Sequence, residues 1–292
     1  MTTPKLIITA LGASALLATT SPAQAQDFKV AWKGAPEISS ADGNFKMKIR
    51  GRLLTDWATI SDNSDKVTDT TELRTARLGI EGVVMKDVKY KFEVDFAGNS
   101  TTIKDAYMQW ALKPVSIIVG QHKVPVSLEE QTSGRYTTFM ERSGITDAFG
   151  FSRNIGISAN ITQDDFTLKA GVFQGNSGAN ADEEGRTYAV RGTYATKLDG
   201  GMVHVGASAF KRENDDGDIY NRYRQRPHSH LSPTRYVNTD SFDAKSDTFF
   251  GVELAGVMGP LSVQSEWGWM KSTAATAGRG DLPSETDVEI TD

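Results

Sequence analysis

Residues 45–57 read FKMKIRGRLLTDW, and this stretch alternates apolar and charged side chains with a period of two. An extended backbone places the apolar side chains on one face and the charged side chains on the other. The apolar face carries Phe45, Met47, Ile49, Leu53 and Trp57, and the charged face carries Lys46, Lys48, Arg50, Arg52 and Asp56. One face of such a strand suits hydrocarbon and the opposite face suits water. The stretch therefore predicts an antiparallel sheet with one wet and one apolar surface.

The same alternation recurs along the chain and predicts about eleven strands, close to the roughly 9–11 residues that a transmembrane strand needs. The further strand-like segments are 74–84, 88–97, 103–112, 115–121, 153–162, 166–174, 187–194, 202–210, 248–257 and 261–270. Tight turns are expected at 85–87, 113–115, 163–165, 197–201 and 258–260, and long polar connections at 61–69, 175–185 and 211–246. This rhythm of short and long connections is typical of an outer-membrane barrel.

Residues 1–25 have the layout of a secretory signal peptide, with Lys5, an apolar run and the sequence AQAQ at its end. No later apolar run approaches the roughly 18 residues of a membrane helix, which excludes a helical membrane protein. The chain contains no cysteine, so thiol catalysis and cysteine-based zinc sites are excluded. A net charge of -5 argues against binding to nucleic acid. A periplasmic or secreted domain and an outer-membrane barrel remain.

Strand length and connection rhythm favour an all-β transmembrane barrel, while a soluble β-sandwich shows the same alternation and stays an alternative. In this interpretation residues 26–43 form an N-terminal periplasmic segment. Residues 44–292 then form a partial β-barrel, with a long insert at 122–150 between two of its strands. The tail after residue 270 is polar and loop-like. Because a closed single-chain barrel needs an even number of strands, we expect C-terminal strands to be missing and the sheet to form an open or gapped barrel.

Five stretches together carry a family resemblance: GRLLTDW at 51–57, ELRTARLGIEGVV at 72–84, YKFEVDFAGN at 90–99, IKDAYMQW at 103–110 and VGQHKVPVSLEEQTSGRYTTFMERS at 119–143. They resemble the phosphate-selective porin O and P family. The resemblance implies a sixteen-stranded, homotrimeric porin in the outer membrane of a Gram-negative bacterium. It further implies a channel for small anions such as phosphate. Members often carry two adjacent arginines where this chain has Arg74 and Thr75, which leaves strict phosphate selectivity open.

The insert at 120–144 carries helix-start signals that neighbouring strands lack. Pro125 ends a strand, and Ser127 with Glu130 forms a capping-box pattern that Thr138 and Glu141 repeat. The segment is therefore predicted to be a folded insert, and the resemblance implies that it enters and narrows the lumen. The expected constriction residues are Arg135, Tyr136, Glu141 and Arg142, with Phe139 and Met140 anchoring the loop against the wall. A solvated surface loop is the alternative.

Fixed positive charge in the lumen is what an anion channel requires. The basic residues of water-facing parity on the early strands are Arg50, Arg52, Arg77, Lys46, Lys48, Lys89 and Lys91. Among them, the three arginines are the expected permeation residues, because guanidinium donates two hydrogen bonds to one oxyanion. Carboxylates share these faces, so ion pairs that brace the wall are the alternative role. The acidic candidates are Glu81, Glu93, Asp95 and Asp105.

No catalytic motif stands out. The sequence has neither a G-x-S-x-G elbow nor a phosphate-cradling glycine loop, and its four histidines have no obvious serine partner. We therefore expect no enzyme activity, no catalytic residues, no cofactor and no metal site. The connection at 211–246 carries a second basic cluster, Arg222, Arg224, Arg226 and Arg235, expected outside the pore mouth. A general solute or sugar porin remains the alternative function.

Overall fold

The computed structural model describes residues 27–61, 67–175, 185–214, 219–240, 242–274 and 285–291. The predicted signal peptide, residues 1–25, lies outside this range. Within the described residues no helix combines the length and the apolar character needed to cross a membrane. Nearly all of the regular structure there is antiparallel strand.

The strands before the insert are β1 (Phe28–Trp32), β2 (Pro36–Ser40), β3 (Phe45–Ser61), β4 (Val67–Val84), β5 (Val88–Asp95), β6 (Thr102–Leu112) and β7 (Val115–Lys123). The insert holds helices α1 (Leu128–Gln131) and α2 (Gly144–Phe149), and a 3₁₀ turn (Ala97–Asn99) follows β5. The strands after the insert are β8 (Arg153–Gln163), β9 (Phe166–Gln174), β10 (Gly185–Leu198), β11 (Gly201–Asn214), β12 (Ile219–Asn221), β13 (Arg224–Gln225), β14 (Val237–Asn238), β15 (Phe242–Met258), β16 (Leu261–Ala274) and β17 (Glu285–Thr291).

Successive long strands pair with one another in a single fifteen-stranded sheet, and β13 pairs separately with β14. Within the described ranges eleven strands have at least eight residues, namely β3–β11, β15 and β16, which confirms the predicted number. All five predicted tight turns are confirmed, because each lies between two paired strands. The sheet also includes the β1–β2 hairpin, within residues 26–43, and β17. Among the described strands no pairing joins β1 to β17, so the expected open antiparallel sheet is confirmed.

The sheet curves around the insert between β7 and β8. Glu141 of the insert lies 3.2 Å from Arg74 on β4, and the backbone N–H of Leu128 donates to Glu266 on β16 at 3.0 Å. β4 and β16 are separated by many strands in the sheet order. One short segment contacts both only because the sheet wraps around it.

An apolar cluster fills part of the space that the sheet encloses. Ile145 and Phe149 of α2 pack there with inward side chains from β9, β10, β11, β15 and β16, including Phe249 and Met270. Phe149 and Phe249 make an edge-to-face contact with ring centres 5.8 Å apart. Strict alternation assigns water to this face, so the apolar packing is a departure from the expectation. Burial of these apolar side chains against α2 stabilises the insert inside the sheet.

The apolar outward face of β3 provides a test of the strand parity. Ile49 is exposed on that face, whereas Leu54 has the opposite parity and lines an inner cavity. We expect Ile49→Arg to impair assembly in membranes, costing about 2–4 kcal/mol at the bilayer midplane. Leu54→Arg, the matched control, is expected to assemble normally because water solvates the new charge. Heat-modifiable mobility in detergent gels measures assembly, and equal behaviour of the two variants would contradict this parity.

Candidate functional site

The first helix of the insert begins where the local sequence predicts it. Ser127 is its N-cap, and the Ser127 hydroxyl accepts the Glu130 backbone N–H at 3.0 Å. The second predicted start, at Thr138, is wrong: α2 begins after Ser143. The Ser143 N–H donates at 2.8 Å to the carboxylate of Glu129, a residue from the first helix. A partner distant in sequence therefore fixes where α2 starts.

Two carboxylates hold the insert in position. Glu266 of β16 accepts the backbone N–H groups of Leu128 and Glu129, at 3.0 and 2.7 Å. Glu130 is buried, and its carboxylate lies 3.4 Å from Lys123 Nζ and 3.2 Å from Arg142 Nη1. Such contacts satisfy the free N–H groups of a helix start and pair the buried charge. The insert is therefore attached at both its first helix and its return segment.

The tip of the insert is not anchored by the residues expected to do so. Phe139 and Met140 are 77% and 81% exposed, so the predicted packing of these two side chains against the wall is wrong. The ion pairs of Glu141 and Arg142 hold this region instead. The apolar character of these two side chains therefore did not indicate contact with the wall.

Between the insert and strands β3–β9 lies a cavity of about 410 Å³. Ten basic and four acidic side chains line it, which gives the space a strong positive excess. The basic residues are Arg50, Arg52, Arg74, Arg77, Lys91, Lys123, Arg135, Arg142, Arg153 and Lys169. The acidic residues are Glu81, Glu93, Asp105 and Glu141. Seven of the residues predicted from the sequence meet here: Arg50, Arg52, Arg77, Lys91, Arg135, Glu141 and Arg142.

Two of the three predicted permeation arginines are ion-paired to the wall. Arg50 Nη1 donates to Glu81 at 2.8 Å. Arg77 donates to Asp95 at 2.7 Å and to Glu93 at 3.1 Å. Their local charge is largely neutralised, and they cross-link adjacent strands. These contacts match the alternative role considered for the arginines, in which ion pairs brace the wall.

Asp105 pairs two further cations of the cavity. Its carboxylate accepts from Lys91 Nζ at 2.6 Å and from Arg153 Nε at 2.7 Å. This one buried carboxylate joins β5, β6 and β8. Lys91 therefore also makes the contacts of the wall-bracing role. Arg153, which was not predicted from the sequence, makes the same kind of contact.

Three cations of the cavity make no ion pair with any described residue: Arg52, Arg135 and Lys169. The Arg52 guanidinium lies beside Gly134 of the insert. A side chain at position 134 would place its β-carbon 3.6 Å from Arg52 Nη1. Arg135 is exposed and lies over the Tyr136 ring, 5.6 Å from its centre. Lys169, on β9, was missed from the sequence although its parity matches that of buried Phe173.

Four predicted site residues lie outside this cavity. Lys46 lies 3.7 Å from Glu37 of β2, and Lys48 Nζ donates to the carbonyl oxygen of Lys33 at 2.6 Å. Lys89 is exposed on β5. Tyr136 is exposed at the tip of the insert, where its ring lies against Arg135. The predicted basic wall is therefore divided between the cavity and the hairpin side of the sheet.

Arg74 reaches the cavity because of a β-bulge. Leu54 pairs with Thr75 and Thr55 pairs with Leu73, so Arg74 has no opposite residue on β3. The extra residue reverses the alternation, and Arg74 and Thr75 both line the cavity. Strict alternation places Arg74 in lipid, which explains why it was missed from the sequence. In the sequence, a charged residue at a position that alternation assigns to lipid is the feature that could have indicated this bulge.

His122 has a serine partner that the sequence did not reveal. Its Nε2 lies 2.7 Å from the Ser158 hydroxyl, and its Nδ1 lies 2.9 Å from the carbonyl oxygen of Gly120. The ring nitrogen facing the carbonyl must carry the proton, so Nε2 accepts from the hydroxyl. Both side chains are buried in the wall between β7 and β8.

The second basic cluster folds against the insert instead of projecting away from it. The backbone N–H of Arg226 donates to Asp147 of α2 at 2.8 Å, and Arg235 lies 3.9 Å from the same carboxylate. Burial, with Arg226 and Arg224 nearby, lowers the pKa of Arg235 from its usual value. His230 contacts Glu72 of β4 at 2.7 Å. This connection therefore joins α2 to the wall.

Comparisons with known proteins agree with this architecture. The sequence profile of the family described as phosphate-selective porin O and P matches residues 47–285. A solved structure of OmpTdeltaL8, a loop L8 deletion mutant of an outer membrane protein of Vibrio cholerae, superposes with a TM-score of 0.51 at 13% identity. The alignment covers 78% of this chain and 70% of that one. At this identity the match establishes the fold alone.

Two relatives in sequence extend the match over most of the chain. An uncharacterised protein of Caulobacter vibrioides is 32% identical over 270 residues, 86% of this chain and 54% of the relative. Porin O of Pseudomonas aeruginosa is 26% identical over 272 residues, 82% of this chain and 62% of the relative. The chain thus spans somewhat over half the length of these relatives. By the profile match and the fold, this chain belongs to the phosphate-selective porin O and P family of Gram-negative outer-membrane porins.

Proposed function

We propose that the protein contributes a water-filled channel for passive diffusion of small anions, phosphate among them. The excess of basic over acidic side chains around the 410 Å³ cavity carries this proposal. Fixed positive charge attracts anions and repels cations, and weak, multiple sites let the ion leave again. Family membership supports a channel in place of an enzyme.

We place the path of the anion along the cations that make no ion pair with a described residue. Arg52, Arg135 and Lys169 line one space in this state, whereas Arg50 and Arg77 are paired with carboxylates. Unpaired guanidinium groups offer two parallel N–H donors to an oxyanion, and an ammonium group offers a mobile point charge. We assign the permeant path to these three side chains and a bracing role to the paired arginines.

We expect Arg52→Ala to lower the permeability ratio of anion over cation by about two- to fivefold, the effect of losing one unit charge near a hydrated ion. The reversal potential of full-chain channels in a salt gradient measures this ratio. As a matched control, the double variant Arg50→Ala with Glu81→Ala removes a cation together with its paired anion, so it should leave selectivity nearly unchanged. An unchanged ratio in Arg52→Ala would contradict the assignment.

The same measurement separates the proposal from a general solute or sugar porin. A general porin shows little preference between anions and cations, so its reversal potential stays near zero. Inorganic phosphate titrated into chloride should reduce chloride conductance if phosphate occupies the basic cavity. Absence of anion preference in the unaltered protein would favour the general porin.

We also propose that the channel functions as a homotrimer embedded in outer-membrane lipid. Support comes from the family and from the apolar side chains exposed on the outer face, Leu53, Trp57 and Leu78 among them. Chemical cross-linking of native membranes followed by denaturing electrophoresis tests the number of subunits. A product of three chains is the expected result.

A further inference from the structure

Arg74 and Glu141 form an ion pair between the wall and the insert, and its geometry is that of an occupied anion site. Arg74 Nε and Nη2 donate to the two carboxylate oxygens at 3.3 and 3.2 Å. This fork is the arrangement that a phosphate would adopt on the same guanidinium. We propose that the Glu141 carboxylate is an intramolecular competitor, which a tetrahedral oxyanion such as inorganic phosphate displaces to bind Arg74.

The pair is looser than the tightest ion pairs of the cavity cations. Its hydrogen bonds of 3.2–3.3 Å exceed the shortest contacts of Arg77 with Asp95 and of Arg153 with Asp105, 2.7 Å each, and are similar to the 3.1 Å of Arg77 with Glu93. Charge-assisted hydrogen bonds are commonly about 2.7–2.9 Å long. Asp56 lies 3.9 Å from Arg74 and adds attraction without a hydrogen bond. A loose pair exchanges one of its partners at lower cost than a tight one.

Glu141 can leave while the insert stays in place. Phe139 and Met140, which precede it, are exposed and do not fix its position. Arg142, which follows it, is held by the carbonyl oxygens of Glu129 and Thr132 at 3.2 and 2.8 Å. Rotation of Glu141 away from Arg74 therefore breaks only its own hydrogen bonds.

The Arg74–Glu141 pair lies where two cavities meet, so replacement of Glu141 by an anion affects passage between them. Arg74, Glu141 and Arg142 line both the 410 Å³ cavity and a second cavity of about 310 Å³. The second cavity also contains Arg226 and His230. An anion that replaces Glu141 on Arg74 lies at the boundary of both spaces. Glu141 thus sets how strongly an oxyanion must bind in order to pass from one cavity to the other.

This inference deepens the proposed function and rests on it. The test is the block of chloride conductance by inorganic phosphate in channels of the full chain. Glu141→Gln removes the competing charge and is expected to lower the half-blocking phosphate concentration about tenfold, because phosphate no longer has to break the charge-assisted hydrogen bonds of the Glu141 carboxylate to Arg74. Adding Arg74→Gln to Glu141→Gln should abolish that increase in affinity.

Glu93→Gln is the matched control. It removes one carboxylate from the same cavity, yet Arg77 stays paired with Asp95 at 2.7 Å, so only the general charge changes. Equal shifts in Glu93→Gln and Glu141→Gln, or no shift in Glu141→Gln, would overturn the competitor and leave an anion channel intact. Loss of anion selectivity in the unaltered protein would instead overturn the proposed function. If Glu141→Gln fails to assemble, Glu141→Asp, which shortens the side chain, must show a smaller shift in the same direction.

Discussion

Excision of residues 133–141, with a short glycine linker joining Thr132 to Arg142, is expected to raise single-channel conductance several-fold. The excised segment contributes Arg135, Met140 and Glu141 to the lining of the 410 Å³ cavity. The cut ends lie within reach of one arginine side chain, because Arg142 Nη2 donates to the Thr132 carbonyl oxygen at 2.8 Å. Anion selectivity should fall as well, since Arg135 is one of the cavity cations that make no ion pair with a described residue. Planar-bilayer recordings measure both quantities.

The anchors of the insert remain in the shortened protein. Glu266 still binds the first helix, and Glu129 still accepts from Ser143. A variant in which the same residues become a glycine–serine segment of equal length serves as control, because it removes side chains but keeps the backbone. Its conductance should lie between the other two. Conductance equal to the unaltered channel in the shortened protein would mean that the segment does not narrow the path.

Glu253→Gln is expected to destabilise the protein by about 3–5 kcal/mol, because it leaves a buried cation without its counter-charge. Arg191 Nε and Nη2 donate to the Glu253 carboxylate at 3.1 and 2.5 Å, and His204 Nε2 lies 2.7 Å from it. The arginine and glutamate side chains are only 7% and 2% exposed. The pair joins β10 to β15 across β11. The temperature at which heat-modifiable mobility is lost in detergent reports the change.

The same substitution at a partly exposed pair isolates the effect of burial. Arg50 and Glu81 are 26% and 34% exposed, so Glu81→Gln should cost at most about 1 kcal/mol. Replacing both Arg191 and Glu253 by leucine should be far milder than Glu253→Gln, since no buried charge is left alone. Similar losses for Glu253→Gln and Glu81→Gln would contradict the assigned role of desolvation.

Alternation and turn chemistry were sufficient to predict the eleven long strands of the described residues, although not the β1–β2 hairpin or β17. Side chains on a strand point to opposite faces in turn, so the residues of 45–57 report their own faces without any knowledge of their neighbours. Turns such as 85–87 and 258–260 are likewise encoded locally. The first helix start at Ser127 is confirmed for the same reason, because its cap is formed three residues away.

Features that depend on a partner distant in sequence could not be predicted in this way. The helix start at Ser143 depends on Glu129, and the same local pattern at Thr138 forms no helix. Alternation gives the face of Arg50 and Arg52, but not which of them lies next to a carboxylate. Strand register decides that: Glu81 lies diagonally across from Arg50, 2.8 Å from its guanidinium, whereas Arg52 is opposite Arg77 and has no ion pair among the described residues.

The sequence by itself determined an antiparallel sheet with a charged inner face and an insert between two strands, because both follow from side-chain order along an extended chain. Only the tertiary structure decided which charges remain available to an anion. The bulge at Arg74 reversed the parity of β4, and curvature of the sheet brought β4 and β16 onto the same insert. Coulomb attraction depends on separation and burial, and those distances exist only after the strands are paired and the insert is in place.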